Sequence, residues 1–139
     1  MSEYTNMIAE KYLEYEERNG HKMHTCPTGV KWDNTKSFVF LGDLGPNGGR
    51  KLMESEYMKD VNCDYLQMAH HGQDGCDKDF YMKAQFRACL WPTPSWVYNN
   101  DFGDGFNTGG LKTIEVRDWM KEKGITEHYI SYEGLVRIK

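Results

Sequence analysis

The stretch Ser37-Phe38-Val39-Phe40-Leu41-Gly42-Asp43 (SFVFLGD, residues 37–43) sets the architecture. It is an unbroken apolar run rich in aromatic and β-branched residues, and it stops abruptly at a glycine and an acid. A strand with one wet face alternates apolar and polar side chains. A run without alternation asks to be buried on both faces, as strands in α/β proteins commonly are. Two further runs repeat the pattern. Tyr65 to Ala69 ends in His70-His71-Gly72, and Ala88 to Trp91 ends at Pro92 and Pro94. A proline has no amide hydrogen to donate, so a central ladder stops there.

Segments with helical periodicity separate these runs. Gly45 to Gly49 is expected to turn the chain, and Arg50 to Asp60, with Leu52, Met53, Tyr57 and Met58, predicts a helix over the first strand. Asp77 to Phe86 predicts a second, with Phe80, Tyr81 and Ala84 as its apolar contacts. Leu111 to Lys123 predicts a third, with Leu111, Ile114, Trp119 and Met120 turned inward and lysines before Gly124 at its close. Glu127 to Tyr132 and Leu135 to Ile138 read as a hairpin around Glu133-Gly134. Upstream, Thr5 to Arg18 carries Ile8, Tyr12 and Tyr15 at helical spacing, and His21 to Lys36 reads as a loop with a short strand around Val30 to Trp32. Strands alternating with helices define an α/β layer architecture. The expected organisation is an N-terminal helix and connecting loop over residues 1–36, attached to a compact unit over 37–139.

The bulk properties bound the function. A chain of 139 residues holds a single core. Its net charge of -4 comes from acids and bases that are interleaved, so charge does not indicate a nucleic-acid partner. No window approaches the roughly 20 apolar residues that span a bilayer. The opening MSEYTNMIAEKY lacks the basic and apolar regions of a secretion signal, so the expectation is a cytoplasmic protein with no membrane partner. Cys26, Cys63, Cys76 and Cys89 show no C-x-x-C spacing and are expected as reduced thiols.

The chemistry gathers where the strands stop. In open α/β sheets, functional groups collect in the crevice beyond the carboxyl ends of the strands. Here those ends offer Asp43, His70-His71 and Trp91-Pro92, and one carboxylate with imidazoles suits Zn²⁺, Mn²⁺ or Fe²⁺. The residues alone leave a second reading open, with Asp43 as a turn acid bonded to its own backbone and the histidines as a strand terminus. Trp91, Trp96 and Tyr98 are candidates to line the mouth of such a crevice, though Trp91 is better suited to the core and Trp96 and Tyr98, in the Pro-rich loop, to an exposed position.

Other motifs are incomplete. GDLGPNGGRK lacks the Gly-Lys-Ser/Thr ending of a phosphate loop, and no G-x-G-x-x-G or G-x-S-x-G is present. His21-x-x-His24 lies in a loop, and Asp101 with Asp104 does not meet the calcium-loop pattern; the segment TPSWVYNNDFGDGFNTGG (residues 93–110) reads as a flexible loop on the substrate side.

FVFLGDLG (residues 38–45), QMAHHGQDG (67–75) and the terminal HYISYEGLVRIK together resemble the C-terminal half of metallo-β-lactamase-fold hydrolases. The nearest branch holds the hydrolase domains of bacterial competence proteins, whose corresponding segments read like TGD and HHGS; Asn34-x-x-Ser37 also matches it. The resemblance covers about residues 30–139 and implies half of an αββα fold, a mixed sheet with helices on one face. It also implies a hydrolase of ester or phosphodiester type using a divalent metal, Zn or Mn. Asp43 would bridge two ions and His71 would be the terminal ligand, with His70 ligating instead or contacting the substrate; Asp43 and His70 are thus the catalytic candidates.

The family's main metal signature, H-x-H-x-D-H, occurs nowhere in the chain. A catalytic zinc is normally held by about three protein ligands plus water, so the isolated chain is expected to hold metal weakly or not at all. The expected partner, meeting the open sheet face, is a second copy in a homodimer or the missing N-terminal half. The alternative is a truncated or degenerate module that is not catalytic and serves to oligomerise or scaffold.

Overall fold

The computed structural model describes residues 29–32 and 36–138. The helix expected over Thr5 to Arg18, and with it His21, His24, Cys26 and Asn34, lies outside the described residues. The elements run β1 (Gly29–Trp32), β2 (Lys36–Phe40), α1 (Pro46–Met53), a 3-10 turn (Glu56–Val61), β3 (Tyr65–Gln67), a 3-10 turn (Ala69–Gly72), α2 (Lys78–Lys83), β4 (Ala88–Trp91), α3 (Ser95–Tyr98), α4 (Thr113–Lys123), β5 (Glu127–Ile130) and a final 3-10 turn (Ser131–Glu133).

The sheet has five strands in sequence order. β1 pairs antiparallel with β2, and β2 to β5 are parallel neighbours. This is a mixed α/β architecture. When each parallel strand lies beside the previous one and every crossover is right-handed, the connecting helices all fall on the same side. The burial pattern agrees. The register sets Val39, Leu66, Cys89 and His128 in one row, and Val39, Leu66 and Cys89 join the core with Leu52 of α1, Phe80 and Tyr81 of α2, and Val116 and Met120 of α4.

Period-two alternation sends the intervening residues to the opposite face. There the register rows are Phe38, Tyr65, Ala88, Glu127 and Phe40, Gln67, Leu90, Tyr129. The Phe38 ring stacks on Tyr65 at 4.9 Å and Tyr129 tilts against Tyr65 at 6.1 Å. Arg87 lies over the Tyr65 ring and ion-pairs with Glu127. Burial of SFVFLG on both faces, the expectation that fixed the class, is therefore corrected in detail: Phe40 is 44% exposed while Val39 and Leu41 are buried. The class is right because one face of β2, β3 and β4 packs with the helices in a common core.

Four elements depart from the expected spans. The glycine-rich turn at residues 45–49 opens a helix instead, because Pro46 at its first turn presets φ and has no amide to orphan. Gly49 lets the helix pack closely there, since a Cβ would press on Cys76 Sγ at 3.3 Å. The helix ends at Met53, and Ser55 starts the 3-10 turn by donating to the Leu52 carbonyl and accepting from the Tyr57 amide. α3 was not expected after two prolines, yet the Pro94 carbonyl accepts from the Val97 and Tyr98 amides. The C-terminal hairpin is absent: β5 pairs parallel with β4, Gly134 turns the chain at φ +114°, and Leu135 to Ile138 form no strand. Among the described residues no helix is long and apolar enough to cross a membrane.

Candidate functional site

The carboxyl ends of β2, β3 and β4 meet through the backbone. Gly42 takes a left-handed φ of +57°; its amide donates to Gln67 Oε1 at 3.0 Å, and its carbonyl accepts from the His70 amide at 2.7 Å. That second bond brings the turn carrying Asp43 beside the histidine pair. Met68 N donates to the Leu90 carbonyl at 2.9 Å, so β3 stays paired to β4 up to the residue where the chain begins to turn.

Beyond Met68 the backbone is strained. His70 (φ +49°, ψ +51°) and His71 (φ +59°, ψ +15°) are both left-handed, and Gly72 follows at φ +80°. For a residue with a side chain this region costs about 1–2 kcal/mol, and such residues seldom occur in succession. Packing holds the turn in place. A Cβ at Gly72 would sit 2.3 Å from Trp91, so the chain can pass over the indole only as glycine. The buried Tyr81 hydroxyl accepts from the Ala69 amide at 3.2 Å, and the Gln73 amide donates to the His70 carbonyl at 3.1 Å. Strain of this kind, over-determined by its surroundings, clusters at functional sites.

The ring contacts select a tautomer for a neutral imidazole. His71 Nδ1 lies 2.7 Å from the Pro92 carbonyl oxygen. A carbonyl can only accept, so Nδ1 carries the hydrogen and Nε2 keeps its lone pair. His70 Nδ1 makes a longer contact of the same sense with the Asp74 carbonyl, at 3.4 Å. The two rings are 6.0 Å apart, His71 and Asp43 are exposed, and His70 is half-buried. Imidazoles that bind metal usually donate their other ring hydrogen to a carbonyl or carboxylate, so the His71 contact fits that chemistry. The number of donors does not close a coordination shell. Among the described residues no group of three or more His, Cys, Asp or Glu is gathered as an ion would require.

The aromatics divide as the crevice reading allowed. Trp91 is core, with its indole N–H donating to His128 Nδ1 at 3.1 Å and its ring edge-on to Tyr98 at 5.3 Å. Trp96 is 51% exposed and sits against Phe102. Tyr98 is half-buried beneath the Arg117 guanidinium, and burial pushes its hydroxyl pKa up. The segment expected as a flexible loop is tied internally. Buried Asn100 donates to Asn107 Oδ1 and the Gly109 carbonyl and accepts from the Leu111 amide, while Asp101 accepts from the Gly103 and Gly105 amides, which hold its carboxyl below the usual range. Cys76, in the turn after the histidine pair, is buried against Leu44, and its thiol is pushed up to about 12 by desolvation and the Asp77 charge.

Sequence reasoning missed Thr93 and Ser131. Thr93 is fully buried, and its hydroxyl donates to the His71 carbonyl at 2.6 Å. Its amide donates to Ser131 Oγ at 2.8 Å and its carbonyl accepts from the same hydroxyl at 3.1 Å. Their position just past the ends of β4 and β5 was the available signal. On the open face, Gln67, Leu90, Tyr129 and Phe40 line a shallow cavity of about 270 Å³ bounded by Val136 and Ile138 of the terminal segment.

These features define an α/β chain whose parallel strands β2 and β3 end in an acid and in two imidazoles on neighbouring turns joined by the His70–Gly42 backbone bond. No protein family, curated protein or solved structure matches it.

Proposed function

We propose that this chain is one half of a metal-dependent hydrolase, of ester or phosphodiester type, in the manner of the metallo-β-lactamase superfamily. Asp43 and His71 would hold a divalent ion, Zn²⁺ or Mn²⁺, with His70 ligating or contacting the substrate. Such an ion supplies a hydroxide that is nucleophilic at neutral pH. The remaining ligands would come from another segment or from a second copy meeting the uncovered face of the sheet. The observation that carries the reading is the left-handed His70-His71 turn, held against Gly42 and Pro92 with the His71 Nε2 lone pair free. A strand end with no chemical task would relieve that strain by substituting glycine.

A second reading has its own support. The aromatic cluster Phe38, Phe40, Tyr65 and Tyr129, drawn from two rows of the helix-free face, suits a module that oligomerises without catalysis. Calorimetric titration of the full chain with Zn²⁺ and Mn²⁺ separates the two. Binding tighter than roughly 100 μM, about -5.5 kcal/mol, that Asp43→Ala and His71→Ala each weaken at least tenfold supports the hydrolase half. If neither ion binds at that level, the enzymatic reading of this chain fails and the oligomerising module stands.

A further inference from the structure

The turn that strains the histidine pair is gripped from a strand that supplies no ligand. Two consecutive residues at the end of β4 hold His71 at both ends of the residue. The Pro92 carbonyl accepts from its ring Nδ1 at 2.7 Å, and the Thr93 hydroxyl donates to its main-chain carbonyl at 2.6 Å. One contact fixes the ring and the other fixes the backbone from which the ring hangs. Neither alone would do both, since an exposed imidazole turns about its side-chain bonds if only its main chain is held.

Thr93 is itself held. It is completely buried, and the single Ser131 hydroxyl spans its amide and its carbonyl, accepting from the first at 2.8 Å and donating to the second at 3.1 Å. Every hydrogen in the chain of contacts has a place. Ser131 gives its hydrogen to Thr93, Thr93 gives its own to His71, and the His71 ring gives the Nδ1 hydrogen to Pro92. Ser131 follows directly on β5, so the register of β5 beside β4, with Trp91 opposite Ile130, sets where Thr93 sits.

We infer that Thr93 is the positioning residue of His71, with Ser131 holding Thr93 in turn, so that the end of β5 decides which ring nitrogen the crevice is offered. This rests on the metal-binding reading above only for its purpose. The geometry of the clamp exists without the ion, and so does its test. Losing the Thr93 hydroxyl frees the His71 carbonyl, lets the left-handed turn relax, and moves the ring off Pro92. The neutral ring then drifts toward the Nε2-protonated form, in which the nitrogen facing the crevice no longer offers a lone pair.

The experiment uses the full chain with ¹⁵N-labelled histidine, metal-free, at a pH well above the ordinary histidine pKa, so that tautomers are read directly from ring nitrogen shifts. The wild type should show His71 protonated at Nδ1. Thr93→Val should convert it to a mixture dominated by the Nε2-protonated form, and Thr93→Ser should restore the original. Ser131→Ala should shift the mixture the same way by less, and it carries the test if Thr93→Val fails to fold by circular dichroism. A parallel Zn²⁺ titration should weaken about 10- to 100-fold in Thr93→Val and recover in Thr93→Ser. Retention of the Nδ1-protonated form in both Thr93→Val and Ser131→Ala overturns the assignment. So does an equal disturbance of His128, which would mark a general structural role. A wild type that binds neither Zn²⁺ nor Mn²⁺ but whose tautomer responds as described would defeat the metal reading and leave the clamp standing.

Discussion

The two faces of the sheet are built from the same strands and end in opposite conditions. On the helix side, Val39, Leu66, Met68, Cys89 and Trp91 are all at or below 2% exposure. On the other side Phe40 is 44% exposed, and Phe38, Leu90 and Tyr129 are partly so. Both faces carry large apolar side chains in β2 to β4, so the apolar runs by themselves do not distinguish them. Connectivity does, because sequential parallel crossovers can cover one face only. The open face is patched from within the sheet, by aromatic stacking and by Arg87 reaching over Tyr65, which is why Tyr65 is 2% exposed with no helix above it.

The difference predicts unequal costs. Leu66→Ala empties a fully buried site under α1 and α2 and should destabilise by about 2–5 kcal/mol in urea unfolding. Phe40→Ala removes a larger side chain that is nearly half in water, and should cost below about 1 kcal/mol if the face is free in solution. A Phe40 cost approaching that of Leu66, and rising with protein concentration, would break the comparison. It would mean that a second copy covers the face, and sedimentation of the wild type would then show a dimer.

The next largest effect lies at the strand ends, where the finished face and the unfinished one share a rim. His70→Gly removes a left-handed penalty of about 1–2 kcal/mol and adds back roughly 0.5–1 kcal/mol of unfolded-chain entropy. The variant should therefore be more stable than the wild type by up to about 1.5 kcal/mol, with an unchanged denaturant slope. A loss of stability instead would show that the His70 ring contact with Asp74 outweighs the strain, and that the turn stores nothing for function.

The strand runs and their order along the chain were legible, because a strand that is covered by helix on at least one side must spend most of its length on apolar residues. The place of Asp43 and the histidine pair just past the strand ends was legible for the same reason: the sheet's polarity fixes which end they occupy. Face assignment was not, since SFVFLG places Phe38 and Phe40 in the open rows with the same side-chain chemistry that Val39 and Leu41 bring to the core. The terminal hairpin misled because Glu133-Gly134 has turn chemistry, and Gly134 does turn the chain, but Ser131 is engaged by Thr93 and the backbone leaves the sheet there. The clamp on His71 was invisible because it depends on β4 and β5 being parallel neighbours, a relation between residues about 40 apart that no local pattern encodes.

The smallest effect tests how completely the helices close their face. His128 sits in the covered row beside Cys89, accepts the Trp91 indole N–H at Nδ1, and uses Nε2 to donate to the Ile125 carbonyl at 3.2 Å. Burial, with the Arg117 charge adding to it, lowers its pKa from the ordinary 6.5, and the Ile125 contact opposes this without reversing it. A folded-state pKa below the unfolded one means that the unfolded chain takes up the proton first. The His128 contribution is therefore fully present above about pH 6.5 and is lost as the pH falls from there through the folded-state value. Protonation also has a steric sense, since a hydrogen on Nδ1 would point at the indole hydrogen. His128→Gln can keep an acceptor for Trp91 without titrating, so its stability should vary less between pH 7 and pH 5 than that of the wild type. If both proteins lose stability along the same curve, His128 is as well hydrated in the folded chain as in the unfolded one, and the covered face is less closed at β5 than at β3 and β4.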